Sequence, residues 1–353
     1  MNTQYLRAGI TAVLVWFALA SSSVHAASLE PALNEALQGE GDVAFIVQFS
    51  DRLDLQSLPA NGKGRGIPLA ELIISLQRQA DSSQQNAVNL LKKGNARRII
   101  QLWSINALAA TAKPEVVQEL AALPEVEAIK LDATFNAPSP EPAASTIPEW
   151  NIDAVNVPAL WSEGLTGLGT VVAAMDTGAD VQHPDLADNW RGGTNSWYDP
   201  NGEHATPYDA GGHGTQSLSV AVGGDAGGSA IGVAPGAQWI AVKIFNDAGV
   251  ASLSGIHQGF QWLLDPDGDP MTLDAPDVVN NSWGFPSTAG ECYTEFSQDI
   301  EVLKAAGIAV VFAAGNEGQN GSASPADNPE AFAVGAVDSS NNVASFSSRG
   351  PSA

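Results

Sequence analysis

From Trp150 onward, short apolar runs alternate with stretches of helical periodicity, and this alternation limits the fold more tightly than any other property of the chain. The apolar runs are Val171–Met175, Trp239–Phe245, Val278–Asn281, Ile308–Ala313 and Phe332–Val337, and the helical candidates are 213–222, 252–264 and 294–306. A strand, a helix and a further strand close most simply as a βαβ unit, with parallel strands and helices over the sheet faces. The pattern predicts an α/β domain over 150–353 built on a parallel sheet. Residues 264–277 (LDPDGDPMTLDAPD) interrupt the alternation and read as a surface loop.

Residues 27–135 follow a different order. Ala44–Phe49 is a strand-like run, and Leu69, Leu72, Ile73, Leu76 and Ala80 share one face of a helix over 69–92. Arg98–Ile105 and Ala107–Ala112 read as two strands. Pro114 opens a helix carrying Val116, Val117, Leu120 and Ala121, and Val126–Leu131 is a last strand. The order β-α-β-β-α-β predicts a small ferredoxin-like α+β domain. Between the two domains, 136–149 is rich in Pro, Ala and Ser, the composition of an extended linker open to cleavage.

The N-terminus and the charge bound where such a chain works. Arg7 precedes an apolar run over 8–20, and Val24-His25-Ala26 offers a small-x-small cleavage site. Residues 1–26 therefore read as a signal peptide, and the product as secreted and extracellular. The run is short for a bilayer span, and no later stretch approaches the roughly eighteen apolar residues a span needs. Residues 148–353 hold 25 of the 39 acidic residues and 4 of the 15 basic ones. That charge repels nucleic acid and anionic lipid and favours solubility. Cys292 is the single cysteine, so no disulfide forms within the chain.

Three polar residues stand where parallel sheets collect their chemistry, just beyond strand ends. Asp176 closes the run Val-Ala-Ala-Met-Asp-Thr-Gly, with Gly178 letting the chain turn away. Asp-Thr-Gly is also the tripeptide of aspartic proteases, but those need two carboxylates sharing a proton, and here it occurs once. His213 lies among Gly211, Gly212 and Gly214 at a predicted helix start, where the positive end of the helix dipole is expected to favour the neutral imidazole that a general base requires. Asn316 follows an apolar run and enters a Gly-rich turn; a neutral amide there can donate to a developing oxyanion. Each residue alone reads equally as a turn or cap, and the order of all three is the signal. Asp265, Asp267 and Asp269 form a D-x-D-G-D cluster suited to a hard cation such as calcium, although the rest of an EF-hand is missing and a solvated acidic loop explains it too.

Seven segments then occur in order: MDTG, HPDL, GHGT, GVAPGAQWIAVK, PDVVNNSWG, VFAAGNEG and AVGAVDSSNNVASFSSRGPS. Over nearly all of 150–353 the chain resembles the peptidase S8 family of subtilisin-like serine proteases, and PDVVNNSWG resembles its bacillopeptidase F branch. INALAATAKPEVVQELAALPEVEAIKLD, within 27–135, is similar to the family's propeptide. The resemblance implies a monomeric endopeptidase precursor acting on proteins or peptides, with its own propeptide as intramolecular inhibitor and chaperone. It implies no cofactor for the chemistry and allows structural calcium. Asp176 would orient and charge-balance His213, His213 would shuttle the proton, and Asn316 would share the oxyanion hole. Ser282, Trp283 and Gly284 would pair with an extended substrate, and Ala313, Ala314 and Gly315 would form one wall of the primary specificity pocket. Trp283 is bulkier than the usual aliphatic residue there.

Two departures accompany the resemblance. Gln216 stands where the family has a second histidine, outside the triad. The family's serine opens a Gly-Thr-Ser-Met-Ala helix, whereas Gly193-Thr194-Asn195 and Gly214-Thr215-Gln216 lack it, and Ser347 and Ser348 lie in FSSRGP. The expectation is a catalytic domain truncated before its nucleophile, inactive in this form and with apolar surface left uncovered. The rival reading is an inactive pseudoprotease acting as a peptide-binding or inhibitory module. A binder would need none of Asp176, His213 and Asn316.

Overall fold

The structure, a computed structural model, describes residues 27–59, 68–139, 149–291 and 293–350. The expected signal peptide (1–26), most of the expected linker (140–148) and Cys292 lie outside the described residues.

The N-terminal unit runs β1 (Ser28–Leu29), α1 (Pro31–Ala36), β2 (Val43–Phe49), α2 (Leu69–Lys93), β3 (Arg97–Leu102), β4 (Ala107–Ala112), α3 (Pro114–Ala121) and β5 (Val126–Leu131). Its sheet has the order β1-β5-β2-β4-β3, antiparallel except for the short β1–β5 pair. Helix α2 forms because Leu72, Ile73, Leu76, Ala80, Ala87 and Leu91 recur at three- and four-residue spacing and are all buried. It stops at Gly94, whose N–H caps the Leu90 carbonyl at 2.8 Å, and Lys92 and Lys93 in its last turn oppose the helix dipole.

After β6 (Thr134–Asn136) the second unit begins with α4 (Trp150–Ala154) and α5 (Val157–Ser162). It continues through β7 (Val171–Asp176), β8 (Trp197–Tyr198), α6 (His213–Val222), β9 (Gln238–Lys243), β10 (Val250–Ser252), α7 (Leu253–Leu264), β11 (Val278–Asn281), α8 (Ser297–Ala305), β12 (Ala309–Ala313) and β13 (Phe332–Val334). Among the described residues its main sheet has six strands in the order β13-β12-β11-β7-β9-β8, every pair parallel. The predicted α/β class and parallel sheet are therefore present. The last strand is shorter than predicted, ending at Val334, and the predicted helix over 294–306 begins at Ser297. Strand β7 is covered on both faces, which is why its sequence is a continuous apolar run and not an alternating one. Its neighbours β9 and β11 lie on opposite sides of it, so the strand order reverses at β7, the position beyond whose carboxyl end open parallel sheets bind ligands.

The two units share one core. Leu72, Leu76, Leu102 and Ile105 of the first pack in the same cluster as Phe260, Leu263, Leu264 and Val302 of the second. Polar contacts register the joint. Asp132 accepts from Ser254 N at 2.9 Å and Ser254 Oγ at 2.6 Å, satisfying the first turn of α7. Arg98 bridges the same Asp132 and Ser254 at 2.9 and 2.8 Å, and Lys130 meets Glu295 at 2.7 Å. Strand β6 pairs antiparallel with β10, aligning Phe135 with Ala251, and the Ala137 N–H continues the pairing to the Gly249 carbonyl at 2.7 Å. Asn136, expected at the start of the linker, is thus part of a strand.

Candidate active site

Asp176 is the last residue of β7 and is fully buried. His213 is the first residue of α6, which folds back over the end of β7, and its side chain keeps 14% exposure. The chain closes this distance of 37 residues into a hydrogen bond of 2.7 Å between Asp176 Oδ1 and His213 Nδ1. Two glycines let the elements approach. A Cβ on Gly214 would lie 2.1 Å from the Gly178 carbonyl oxygen and 3.0 Å from Asp176 Cβ. A Cβ on Gly178, at φ +133°, would lie 2.0 Å from the Tyr208 carbonyl oxygen. With Nδ1 committed to Asp176, Nε2 is the imidazole nitrogen left for a reacting group.

Asp209, which no sequence pattern singles out, organises this corner. Its Oδ1 accepts from Gly211 N at 3.0 Å, Gly212 N at 2.8 Å and Thr177 Oγ1 at 2.8 Å. Its Oδ2 accepts from Thr215 N at 2.9 Å and Thr215 Oγ1 at 2.6 Å. Thr177 in turn accepts from Gly214 N at 2.8 Å, so the residues flanking Asp176 and His213 are laced together. Fully buried Lys243 adds a second brace, its Nζ donating to the carbonyls of Thr177 at 3.0 Å and Phe245 at 2.8 Å.

Charge at the pair is set by burial and by contact. Burial drives the Asp176 carboxyl above its ordinary value, opposed by the His213 hydrogen bond and charge and by the Thr177 N–H at 2.7 Å. Burial would lower His213, but the hydrogen bond and charge of Asp176, with the charge of Asp209, outweigh it and raise the imidazole above 6.5. The expectation that the helix N-terminus dominates and favours the neutral ring is therefore corrected. A carboxylate in direct contact is stronger than a partial dipole charge. Burial would also raise Asp209, yet its hydrogen bonds from Thr215, Gly212 and Thr177 hold it below the usual carboxylate range.

The remaining candidates fall on the same edge of the sheet or away from it. Ser282, Trp283 and Gly284 follow β11, the direct neighbour of β7. The Trp283 indole is 3% exposed and packs among Phe260, Phe296 and Phe312, with Phe135 of the N-terminal unit against it at 6.2 Å. Its ring belongs to this aromatic core. Ala313, Ala314 and Gly315 follow β12, one strand further, and Asn316 is exposed on the turn after them. Ser348 steadies that turn, its N–H donating to the Gly315 carbonyl at 3.0 Å and its Oγ to Glu317 at 3.0 Å. Ser347 is buried, its Oγ accepting from Ala336 N at 3.0 Å, and neither serine faces His213 through any hydrogen bond. Gln216 is half-buried in α6.

The acidic cluster differs from its sequence reading. Asp265 and Asp267 converge with Asp274, whereas exposed Asp269 turns its Oδ1 back onto Met271 N at 3.0 Å. A second histidine–aspartate pair also lies in the domain. Buried His257 of α7 meets Asp299 of α8 at 2.8 Å through Nδ1 and Glu295 at 3.2 Å through Nε2.

A buried aspartate thus meets a histidine just beyond the strand at which a parallel sheet reverses its order, the place where open α/β sheets gather their active residues. Residues 167–353, more than half of the chain, match the subtilase family (peptidase S8), and the chain belongs to that family. It is 33% identical to bacillopeptidase F of Bacillus subtilis across 92% of its own length, which is 26% of that protein. It is 36% identical to subtilisin E of Bacillus subtilis across 71% of its length and 61% of the relative. Against the alkaline protease of Shouchella clausii it is 36% identical, covering 70% of this chain and 58% of that one. The chain thus spans about a quarter of the first relative and about three-fifths of the others. No helix among the described residues is long and apolar enough to cross a membrane.

Proposed function

We propose that the chain is the precursor portion of a secreted serine endopeptidase in which Asp176 and His213 are the acid and base of an Asp-His-Ser triad. The 2.7 Å bond between Asp176 Oδ1 and His213 Nδ1, at the carboxyl edge of a subtilase sheet, carries this reading. His213 Nε2 takes the proton of the attacking hydroxyl and returns it to the leaving amine. Asp176 fixes the tautomer and stabilises the imidazolium while keeping its own charge. The exposed amide of Asn316 donates to the oxyanion, where a carboxylate would repel it. The nucleophile in this reading is a serine contributed by sequence following Ala353, and secretion rests on the leader-like composition of 1–26.

The N-terminal unit reads as the propeptide. Its strand order β5-β2-β4-β3 fits the ferredoxin-like arrangement. Strand β6 adds to β10 as an extended peptide would, and Phe135 packs at 4.6 Å on Phe285 and 5.5 Å on Phe245 beside the Ser282–Gly284 segment. Such an occupant competes with substrate for backbone pairing.

The test is hydrolysis of a peptide amide by the product of the complete reading frame containing this chain. The expected result is activity blocked by a serine-directed fluorophosphonate and lost in His213→Ala. Full activity in His213→Ala, or insensitivity to the fluorophosphonate, overturns the reading.

A further inference from the structure

The loop from α7 to β11 carries Asp265, Asp267, Asp269, Asp274 and Asp277 with no lysine or arginine among them. Two of the five lie outside the convergent group. Asp269 accepts from Met271 N at 3.0 Å, and Asp277 accepts from Val171 N at 2.9 Å. The other three converge, with one carboxylate oxygen from each of Asp265, Asp267 and Asp274 lying within 4.8 Å of the others, and Asp267 also accepts from Asp269 N at 2.9 Å and from Thr272 Oγ1 at 2.9 Å.

Asp265 makes this more than an acidic surface. It is 9% exposed, and its Oδ1 is shut off from solvent without any hydrogen-bond partner. A buried carboxylate oxygen with no donor is costly, and two further carboxylates beside it raise that cost. Among the described residues, no ion pair engages any of the three. Arg191 is the basic group whose charge reaches them, yet its donors go to Ser196 Oγ at 2.9 Å, the Asp274 backbone carbonyl at 2.6 Å and the Asn195 carbonyl. Asp274 is fixed in place by Asn195, which donates to its Oδ2 at 2.9 Å.

We propose that Asp265, Asp267 and Asp274 bind one calcium ion. Three hard oxygen donors, with no histidine or cysteine, favour calcium or magnesium over zinc. Magnesium usually keeps most of its waters and takes one or two carboxylates, so three converging carboxylates suit calcium. The ion would tie the carboxyl end of α7 to the Asn195 turn through Asp274. It would thereby fix the loop that leads into β11 and the Ser282–Gly284 segment. The other acidic group, Glu203, His204 and Asp247, is partnered already: His204 meets Asp247 at 2.9 Å, and Lys243 meets it at 3.2 Å. That group serves as the control.

The experiment is calorimetric titration of the chelator-treated full chain with calcium chloride, paired with thermal unfolding with and without the ion. One ion is expected per chain, with a dissociation constant of about 10⁻⁴–10⁻³ M and a higher unfolding midpoint in its presence. Asp265→Asn and, should that variant fail to fold, Asp274→Asn are each expected to weaken binding about tenfold or more and to abolish the midpoint shift. Asp269→Asn and Glu203→Gln are expected to bind as the unsubstituted chain does. Absence of calcium uptake at about 10 mM, unchanged binding in Asp265→Asn and Asp274→Asn, loss of binding in Glu203→Gln, or tighter binding of magnesium than calcium would each overturn the proposal.

Discussion

Among the described residues the second unit contains two histidine–aspartate pairs of nearly the same geometry, His213–Asp176 at 2.7 Å and His257–Asp299 at 2.8 Å, each made through Nδ1. They differ at the other nitrogen. His257 Nε2 is consumed by Glu295 at 3.2 Å, and the ring is fully buried between α7 and α8. His213 keeps 14% exposure, and among the described residues no hydrogen bond engages its Nε2. Charge follows the same division. Burial would lower His257, but two carboxylates lift it to about 9, while burial raises Asp299 and contact with His257 and Lys130 pulls Glu295 down to about 2. One pair is a fixed ionic joint between helices. The other leaves half of its hydrogen-bonding capacity open among the described residues, which the proposed proton transfer requires.

Breaking each pair in the product of the complete reading frame should give opposite phenotypes. His213→Ala is expected to lower kcat by about 10⁶, the scale of the same loss in a subtilisin, with little change in urea midpoint. His257→Ala is expected to leave kcat within about threefold. Asp176→Asn should cost about 10⁴ in kcat, and the acid limb of its kcat/KM profile should move to lower pH, because Asp176 is what raises His213. For His257→Ala the expected loss appears in urea unfolding, about 3–5 kcal/mol, since Glu295 and Asp299 lose the cation between them.

The pH dependence of stability sharpens the contrast further. The His257 contribution is complete below 6.5 and is lost as pH rises through about 9. The Glu295 contribution is complete above 4.5 and is lost as pH falls through about 2. The contribution of this joint to the urea midpoint should therefore be flat between 4.5 and 6.5, and His257→Ala should remove its alkaline decline. The smallest effect belongs to Asp209→Ala, which uncaps α6 at about 1–2 kcal/mol and lowers kcat through the position of His213, leaving KM nearly unchanged.

What the sequence made legible was local. Strand β7 and the start of α6 at His213 are marked by an apolar run and a glycine turn within a few residues of each other, and both lie where the pattern predicts. Asp209 was not legible, because its role exists only after α6 folds back and presents Gly211, Gly212 and Thr215 to it. His257 is unremarkable in sequence for the same reason: its partners lie 38 and 42 residues away, in the turn before α8 and on α8 itself. The exchange of Asp269 for Asp274 in the acidic cluster likewise depends on a side chain delivered from the far end of its loop. Strand β6 has three residues and no periodicity to read, and it is defined by pairing with β10 more than a hundred positions on.

That pairing has a kinetic consequence. While the backbone between Asn136 and Val250 is intact, β6 and β10 meet as parts of one molecule, at an effective concentration set by tether length and independent of how much protein is present. A single cut in the intervening chain would turn the same contact into a bimolecular one. Occupancy of β10 would then fall on dilution, and the timing of exposure would be governed by volume as much as by affinity.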